Sequence, residues 1–166
     1  MSIENVNAGG GDDTVYGDNS GNILRGEDGL DTLYGNDGDD TLNGGNNNDK
    51  LYGGNGNDTL NGGNDLDTMV GGDGDDIYFV NHANDVVTEN SSEGTDLINS
   101  SVSYTASSDV ENLTLTGAGN INATGNSLDN ILIGNNGSNT LTGDAGNDNL
   151  TGSVGADTLY GNDGDD

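Results

Sequence analysis

The sequence contains no cysteine, no proline and no tryptophan, and only two of its 166 residues, Arg25 and Lys50, are basic. Without cysteine the chain forms neither disulfide bonds nor thiolate metal sites. Against the two basic residues stand 30 acidic ones, which gives a formal net charge of −28. Nucleic acids and anionic membranes bind basic surfaces, so neither is expected as a partner. No apolar run approaches the roughly 18 residues of a membrane span.

Apolar residues are also scarce, at 28% of the chain, and aromatic residues supply only 4%. A composition this acidic and this poor in aromatics is typical of disordered chains, because little apolar surface is available to offset the loss of chain entropy. Repulsion among the acidic groups also opposes a compact state. The chain is therefore either a solvated tail or a fold that a cation completes.

Glycine is abundant, with 31 residues, and it recurs with a period of nine. Eight consecutive nonapeptides run from Ala8 to Phe79, four more run from Gly125 to Tyr160, and a fifth stops after six residues at Asp166. Position one is glycine in every nonapeptide but the first. Position six is always Asp or Asn, and position eight is apolar in every complete nonapeptide. A repeat this regular indicates a solenoid in which every unit adopts the same conformation.

The residue types predict the conformation of each nonapeptide. Glycines at positions one, two and four allow a tight six-residue turn, and Asn and Asp at position four tolerate the same backbone. Leu128 at position four does not, and we expect no such turn there. Positions seven to nine form a short strand whose middle residue points inward. Two nonapeptides make one 18-residue coil, which predicts an all-β, right-handed parallel β-roll with coils about 4.8 Å apart. One aliphatic residue per strand gives a core too thin to hold the roll alone.

Positions six and eight have the same parity, so the aspartate at position six also leans toward the inside of its turn. Turns two nonapeptides apart lie on the same edge, where their carboxylates and carbonyl oxygens converge on one gap. Hard oxygen ligands without His or Cys suit calcium rather than zinc or copper. The alternative is a plain acidic face, which the fixed register of the acids with the glycines disfavours.

The nonapeptide Gly53-Gly54-Asn55-Gly56-Asn57-Asp58-Thr59-Leu60-Asn61 resembles the repeat of the RTX (repeats-in-toxin) family, Gly-Gly-x-Gly-x-Asp-x-(large apolar)-x. The resemblance covers both arrays. It implies a parallel β-roll with calcium held between turns, in a secreted Gram-negative protein exported by type I secretion. It also implies that the position-six aspartate is a calcium ligand alongside turn carbonyls.

Carried onto this sequence, the resemblance predicts two edges of ligands and about six to eight ions. One edge contains Asp13, Asp31, Asp49 and Asp67, and the other contains Asp40, Asp58 and Asp76. Asn22, Asn130 and Asn139 depart from the repeat and are expected to bind weakly or not at all. The remaining predicted ligands are Asp85, Asp148, Asp157 and Asp166, with turn carbonyls from Gly35, Gly38, Gly53, Gly54, Gly56, Gly71, Gly72 and Gly74.

Between the array 8–79 and the second array 125–166 lies the segment 80–124, whose 45 residues equal five nonapeptides. We expect degenerate, mostly calcium-free coils here, with Leu113 and Ile121 pointing inward where the binding repeats carry Asp. A flexible linker is the alternative, and the Val, Leu and Ile content of the segment argues against it. Residues 1–7 are expected to be a lead-in.

No catalytic site is predicted, because the sequence has a single histidine, His82, and no nucleophile, phosphate-loop or glycosidase signature around which a cleft could form. We expect a calcium-binding module of a larger secreted protein, extracellular or on the cell surface, that folds after export. The C-terminal signal for the type I secretion apparatus is expected to lie outside this sequence. One alternative is an adhesin or surface-layer spacer, with a sugar or cell-surface partner on a face formed by Tyr16, Tyr34 and Tyr52. Another is the C-terminal roll of a secreted protease, lipase or epimerase.

Overall fold

The computed structural model describes residues 5–166, which form short parallel strands and no helix. The strands are β1 (Asn5–Gly10), β2 (Thr14–Tyr16), β3 (Ile23–Asp28), β4 (Thr32–Asp37), β5 (Thr41–Asn46), β6 (Lys50–Asn55), β7 (Thr59–Gly63), β8 (Thr68–Asp73), β9 (Ile77–Val80), β10 (Val86–Thr88), β11 (Leu97–Ser100), β12 (Tyr104–Thr105), β13 (Asn112–Leu115), β14 (Ala123–Thr124), β15 (Ile131–Ile133), β16 (Thr140–Ala145), β17 (Asn149–Thr151) and β18 (Thr158–Asp163). The chain divides into an N-terminal unit, Met1–Gly94, and a C-terminal unit, Thr95–Asp166. No helix able to span a membrane occurs in the described part of the chain.

In the N-terminal unit the chain alternates between two parallel sheets, one strand per nonapeptide. One sheet has the order β1-β3-β5-β7-β9 and the other the order β2-β4-β6-β8-β10. Partners are 18 positions apart in both, as in the pairs Leu42↔Leu60 and Leu33↔Leu51. The predicted parallel β-roll with two nonapeptides per coil is therefore confirmed. Residues 5–7, expected as a lead-in, already belong to β1 and pair with β3.

The core of the N-terminal unit is the row of position-eight side chains. They stack directly above one another in each sheet because the register is constant. Burying each aliphatic side chain stabilises the coil by about 1.5–3 kcal/mol, but most strands contribute only one. The members of the row are all buried: Val15, Leu24, Leu33, Leu42, Leu51, Leu60, Met69 and Tyr78.

The C-terminal unit has the same architecture, with sheets β11-β13-β15-β17 and β12-β14-β16-β18. Its coils are less regular in length. Ile98 pairs with Leu113, only 15 positions on, whereas Leu113 pairs with Leu132 after 19 positions, and Leu132 pairs with Leu150 after the usual 18. Ile98, Leu113 and Leu132 are fully buried. The strands β11 to β14 thus lie in segment 80–124, where ordered coils were expected.

The irregular coil corrects one expectation about segment 80–124. Leu113 does not occupy an aspartate place, because its partners Ile98 and Leu132 are core residues of position eight. The aspartate place of that coil falls on Glu111, whose carbonyl accepts the N–H of Ile131. Ile121 does lie opposite a position-six residue, Asn139, and its side chain is only half-buried.

Candidate calcium sites in the turns

The turns depend on two kinds of glycine. In the turns with Asp at position six, the aspartate turns, the backbone has a positive φ at positions two and four, for example 120° at Gly54 and 126° at Gly56, which glycine adopts without strain. In the repeat that begins at Gly35, position two is Asn36, and its backbone adopts the same conformation with a φ of 81°. Position one is different, because Gly53 has no positive φ. A Cβ there would meet the Asp58 carboxylate and the carbonyl oxygen of Gly71. Position one is therefore glycine because the carboxylate lies against it.

Each position-six aspartate uses one carboxylate oxygen to connect successive coils. Oδ1 of Asp58 accepts the backbone N–H of Asp40 at 2.7 Å, and the N–H of Asp58 donates to Oδ1 of Asp76 at 2.6 Å. On the other edge the N–H groups of Asp13, Asp31 and Asp49 donate in the same way to the aspartate of the next coil, at 2.8 Å each. The aspartates of each edge therefore stack in a row, as the sequence predicted.

The second carboxylate oxygen has a different environment. Oδ2 of Asp58 lies against Gly53, beside the carbonyl oxygen of Gly71 in the following coil. Asp31, Asp40, Asp49 and Asp148 repeat this arrangement with the carbonyls of Gly44, Gly53, Gly62 and Gly161. Within the described residues these second oxygens are buried and accept no hydrogen bond, at Asp31, Asp40, Asp49, Asp58, Asp67 and Asp148. A buried carboxylate oxygen without a donor costs free energy, and a cation removes that cost.

The pKa values of the buried position-six aspartates reflect the burial of their carboxylates. Burial is the main cause that raises the pKa of Asp49 and Asp58 to about 7 and that of Asp67 to about 6. Backbone hydrogen bonds oppose the shift, and the neighbouring carboxylates add to it. The pKa of Asp40 is raised for the same reasons. Without a cation, these carboxylates therefore take up a proton at a higher pH than an exposed carboxylate does.

Carboxylate and carbonyl oxygens that converge between stacked coils are the donor set that calcium prefers. Calcium tolerates flexible coordination by six to eight oxygens, whereas magnesium demands near-ideal octahedral geometry. The residues present in the aspartate turns fit a calcium ion. The carbonyls of Gly44, Gly62 and Gly161 join the predicted Gly53 and Gly71 as oxygens beside a carboxylate. The carbonyls of Gly38, Gly54 and Gly56 instead face the glycine of the next coil.

The other predicted ligands are less enclosed or differently bonded. Asp13 and Asp157 are half-buried, and Asp166 is exposed. Asp85 continues the row beyond Asp67, but its Oδ2 accepts the N–H groups of Asn81 and His82 at 3.2 and 3.0 Å. The prediction that Asp85 is a ligand therefore has less support than those for the enclosed aspartates.

Two glutamates were missed by the repeat pattern. Glu89 is buried, with 5% of its side chain exposed, and it accepts a hydrogen bond from the Tyr78 hydroxyl. A Cβ on Gly71 would meet oxygens of Asp76, Tyr78 and Glu89 together, so the three side chains converge there. In the C-terminal unit, Oε2 of Glu111 accepts the N–H of Asp96 at 2.8 Å, the bond that an aspartate makes elsewhere. The only sequence signal was an acid outside the expected register.

The family model of the RTX calcium-binding nonapeptide repeat (4 copies) matches residues 3–29, 16–51, 43–78, 52–87, 124–159 and 143–166. Together these matches cover well over half of the chain. The chain belongs to the RTX calcium-binding nonapeptide repeat family. RTX repeats bind calcium, and the RTX roll is a structural calcium-binding module rather than a catalytic one. Comparison with curated proteins gives no match.

The RTX matches and the turn geometry agree on where the buried aspartates are concentrated. The four matches between residues 3 and 87 include every buried aspartate of the N-terminal rows, and the matches at 124–159 and 143–166 include Asp148. Residues 88–123 lie outside all six matches. The RTX pattern is therefore interrupted in the same stretch in which the coil length changes from 18 to 15 residues.

Proposed function

We propose that the chain is the calcium-binding module of a larger secreted bacterial protein, and that it folds into its rigid roll when it meets extracellular calcium. The observation that carries this proposal is the row of buried carboxylate oxygens that accept no hydrogen bond, at Asp31, Asp40, Asp49, Asp58 and Asp67. Each is enclosed by backbone that closes only when the coils stack. Ion binding and coil stacking are therefore coupled.

Free calcium is low in the cytosol and higher outside the cell, and this difference controls folding in our proposal. Extracellular calcium modules bind at about 10⁻⁴ to 10⁻³ M, far above the free calcium of the cytosol. Inside the cell the coils with aspartate turns stay unfolded, which suits export through a type I apparatus, and outside it the ions assemble the roll. We propose about six to eight ions, one for each gap between neighbouring acidic turns. The parent protein's activity, whether that of a protease, lipase, epimerase or toxin, resides in other parts of that protein.

A second function, adhesion, rests on the tyrosine face. The rings of Tyr16, Tyr34 and Tyr52 stack with centroids 4.8 and 4.9 Å apart and interplanar angles of 4° and 8°. Tyr16 has 58% of its side chain exposed. A flat row of aromatic rings suits a sugar or another cell-surface partner. The spacing equals that of stacked strands, so packing along the sheet accounts for the row equally well.

Isothermal titration calorimetry of the whole chain with calcium tests the main proposal. Asp58 lies between Asp40 and Asp76 in its row, whereas Asp13 has a described neighbour, Asp31, on one side only. Asp58→Ala is therefore expected to lose more bound calcium than Asp13→Ala. The exposed Asp73 is the matched control, and Asp73→Ala is expected to bind as the wild type does.

Two results are decisive in this titration. A wild-type chain that binds no calcium at millimolar concentrations contradicts the calcium function. Equal losses in the Asp58 and Asp13 variants contradict the sharing of one aspartate between two gaps.

A further inference from the structure

We propose that the turns with Asn at position six are closed by their own side-chain amides in place of an ion, and that the coil 125–142 is a calcium-independent core of the C-terminal unit. Three such turns occur, at residues 17–22, 125–130 and 134–139, and we call them the asparagine turns. The last two follow each other, so one complete coil has an asparagine turn at both edges. The inference goes beyond the proposed function, since it separates the part of the chain that needs no ion from the part that does.

Inside each asparagine turn, two side chains bind the backbone in the same way. Oδ1 of the position-six Asn accepts the N–H of position two, at 2.7 Å for Asn22, 2.7 Å for Asn130 and 2.9 Å for Asn139. Position two is Asp18, Asn126 or Asn135, and its Oδ1 accepts the N–H of position four at 2.8–3.0 Å. The two side chains also bond each other, since Nδ2 of position six donates to Oδ1 of position two at 3.0–3.4 Å.

This bonding explains the residues at position four. An Asx turn holds the backbone without a positive φ, and neither Ser20, Leu128 nor Gly137 is among the positive-φ residues. Leu128 was expected to prevent the usual turn. The structure forms a different turn there, in which glycine is not required. Asp or Asn at position two combined with Asn at position six is thus the sequence mark of an asparagine turn.

Toward the preceding coil, the amides satisfy the carbonyl oxygens. Nδ2 of Asn130 donates to the carbonyls of Val110 and Glu111 at 3.2 and 3.1 Å, and Nδ2 of Asn126 donates to those of Ser107 and Val110 at 2.7 Å each. On the other edge, Nδ2 of Asn135 donates to Thr116 and Gly119 at 3.2 and 3.1 Å, and Nδ2 of Asn139 donates to Ile121 at 2.6 Å. In the turns 125–130 and 134–139 the neutral amides point N–H groups into the gap, so the residues of these two turns do not fit a cation.

The energetic contrast with the aspartate turns follows from burial. Asn130, Asn135 and Asn139 have at most 6% of their side chains exposed, and their polar groups are bonded within the chain. A fully bonded buried network stabilises the fold without an ion, whereas an enclosed carboxylate oxygen without a donor destabilises it. The coil also packs Leu132 and Leu141 into the core, where Leu132 stacks on Leu113. The coil 125–142 and the coil before it therefore hold together in the absence of calcium.

Amide hydrogen exchange of the whole chain in excess EDTA tests this inference. The amides of Leu128, Gly137 and β15 are expected to exchange at least about tenfold more slowly than in an unfolded peptide. Exchange at the unfolded rate for these amides overturns the inference. The amides of Asp40 and Asp58 report on the proposed calcium function instead. Their protection in EDTA contradicts the calcium switch and leaves the inference standing.

A pair of variants tests the chemistry of the amide. Asn130→Asp removes the donor to Val110 and Glu111 and places a charge against their oxygens. In EDTA it is expected to accelerate exchange of the β15 amides by about tenfold or more, since a lost buried hydrogen bond is compounded by an unpaired charge. Asn136→Asp makes the same chemical change at an exposed neighbouring position and is expected to leave exchange unaltered. Equal behaviour of the two variants overturns the role of the amide.

Discussion

At the scale of single residues, the position-six aspartate combines two tasks that the sequence pattern does not distinguish. Its Oδ1 carries a hydrogen bond from the preceding coil, as between Asp49 and Asp67 at 2.8 Å. Its Oδ2 is the oxygen that we propose to bind calcium. Asparagine redirects both atoms, because its Oδ1 turns to the N–H of its own turn and its amide becomes a donor. An amide at position six, together with Asp or Asn at position two, thus distinguishes a self-contained turn from an aspartate turn.

The raised pKa values of Asp49, Asp58 and Asp67 predict how the calcium-free fold depends on pH. Their pKa values of about 7, 7 and 6 lie above the ordinary value of 3.8, so the folded chain binds more protons than the unfolded chain between these limits. Their contribution to stability is complete below about pH 4 and is lost as the pH rises through 6 to 7. In buffer stripped of calcium, β structure is therefore expected to increase on acidification, with a midpoint near pH 6.

Far-UV circular dichroism measures this transition, and Asp49→Asn, Asp58→Asn and Asp67→Asn combined form the comparison. The triple variant is expected to shift the midpoint downward because the groups with raised pKa values are gone. A wild-type midpoint near pH 4, the ordinary carboxyl range, contradicts the account, because general charge neutralisation then explains the effect.

Much of the site could be read from the sequence at this scale, and the exceptions have definite causes. The nine-residue period predicted the rows that contain Asp31, Asp40 and Asp58, since register alone decides which residues stack. Glu89 was missed because its side chain reaches the turn from outside the repeat, and Glu111 was missed because the irregular coil length shifts the aspartate place onto it. The hydrogen bonding between Asn126 and Asn130 was not predicted, because it lies within one turn and does not change the nine-residue period.

At the scale of elements, the structure of each aspartate turn depends on its sequence and on the proposed ion. The glycine at position one leaves space for the carboxylate, and this predicts the effect of a methyl group. Gly53→Ala is expected to push the Asp58 carboxylate away from the Gly71 carbonyl and to lower the free energy of unfolding in calcium by about 1–3 kcal/mol. Its calcium affinity is expected to fall as well.

Gly10→Ala is the matched control for Gly53→Ala. A Cβ on Gly10 meets only Asp28 atoms at 3.9 Å, an ordinary contact distance, so the change is expected to stay within about 0.5 kcal/mol. Denaturant unfolding at saturating calcium measures both variants. Equal stability of the two variants contradicts the claim that position one is shaped by the carboxylate.

The lengths of the individual coils could not be predicted from the sequence. The 45 residues of segment 80–124 equal five nonapeptides, yet the coil from Ile98 to Leu113 spans 15 residues and the next spans 19. The total fits a constant period, but the expectation that Leu113 occupies an aspartate place was wrong. What decides the register there is burial, because Ile98, Leu113 and Leu132 form one core row and the turns between them adjust.

At the scale of the whole molecule, the stability of the roll depends on the charge of the chain and on its thin apolar core. A formal charge of −28 opposes folding, and the proposed six to eight divalent ions would offset about half of it. Each filled site adds about 2.7 kcal/mol when free calcium is a hundred times the dissociation constant. That is comparable to the burial of one position-eight side chain.

The central claim is that calcium, not the apolar core, decides whether the aspartate turns fold. Far-UV circular dichroism of the whole chain at neutral pH, in chelator and then across a calcium titration, tests it most directly. We expect mostly unfolded signal in chelator, apart from a residual β contribution from the coil 125–142, and a cooperative gain of β structure at about 10⁻⁴ to 10⁻³ M calcium. A full β spectrum in chelator that calcium leaves unchanged would contradict the claim.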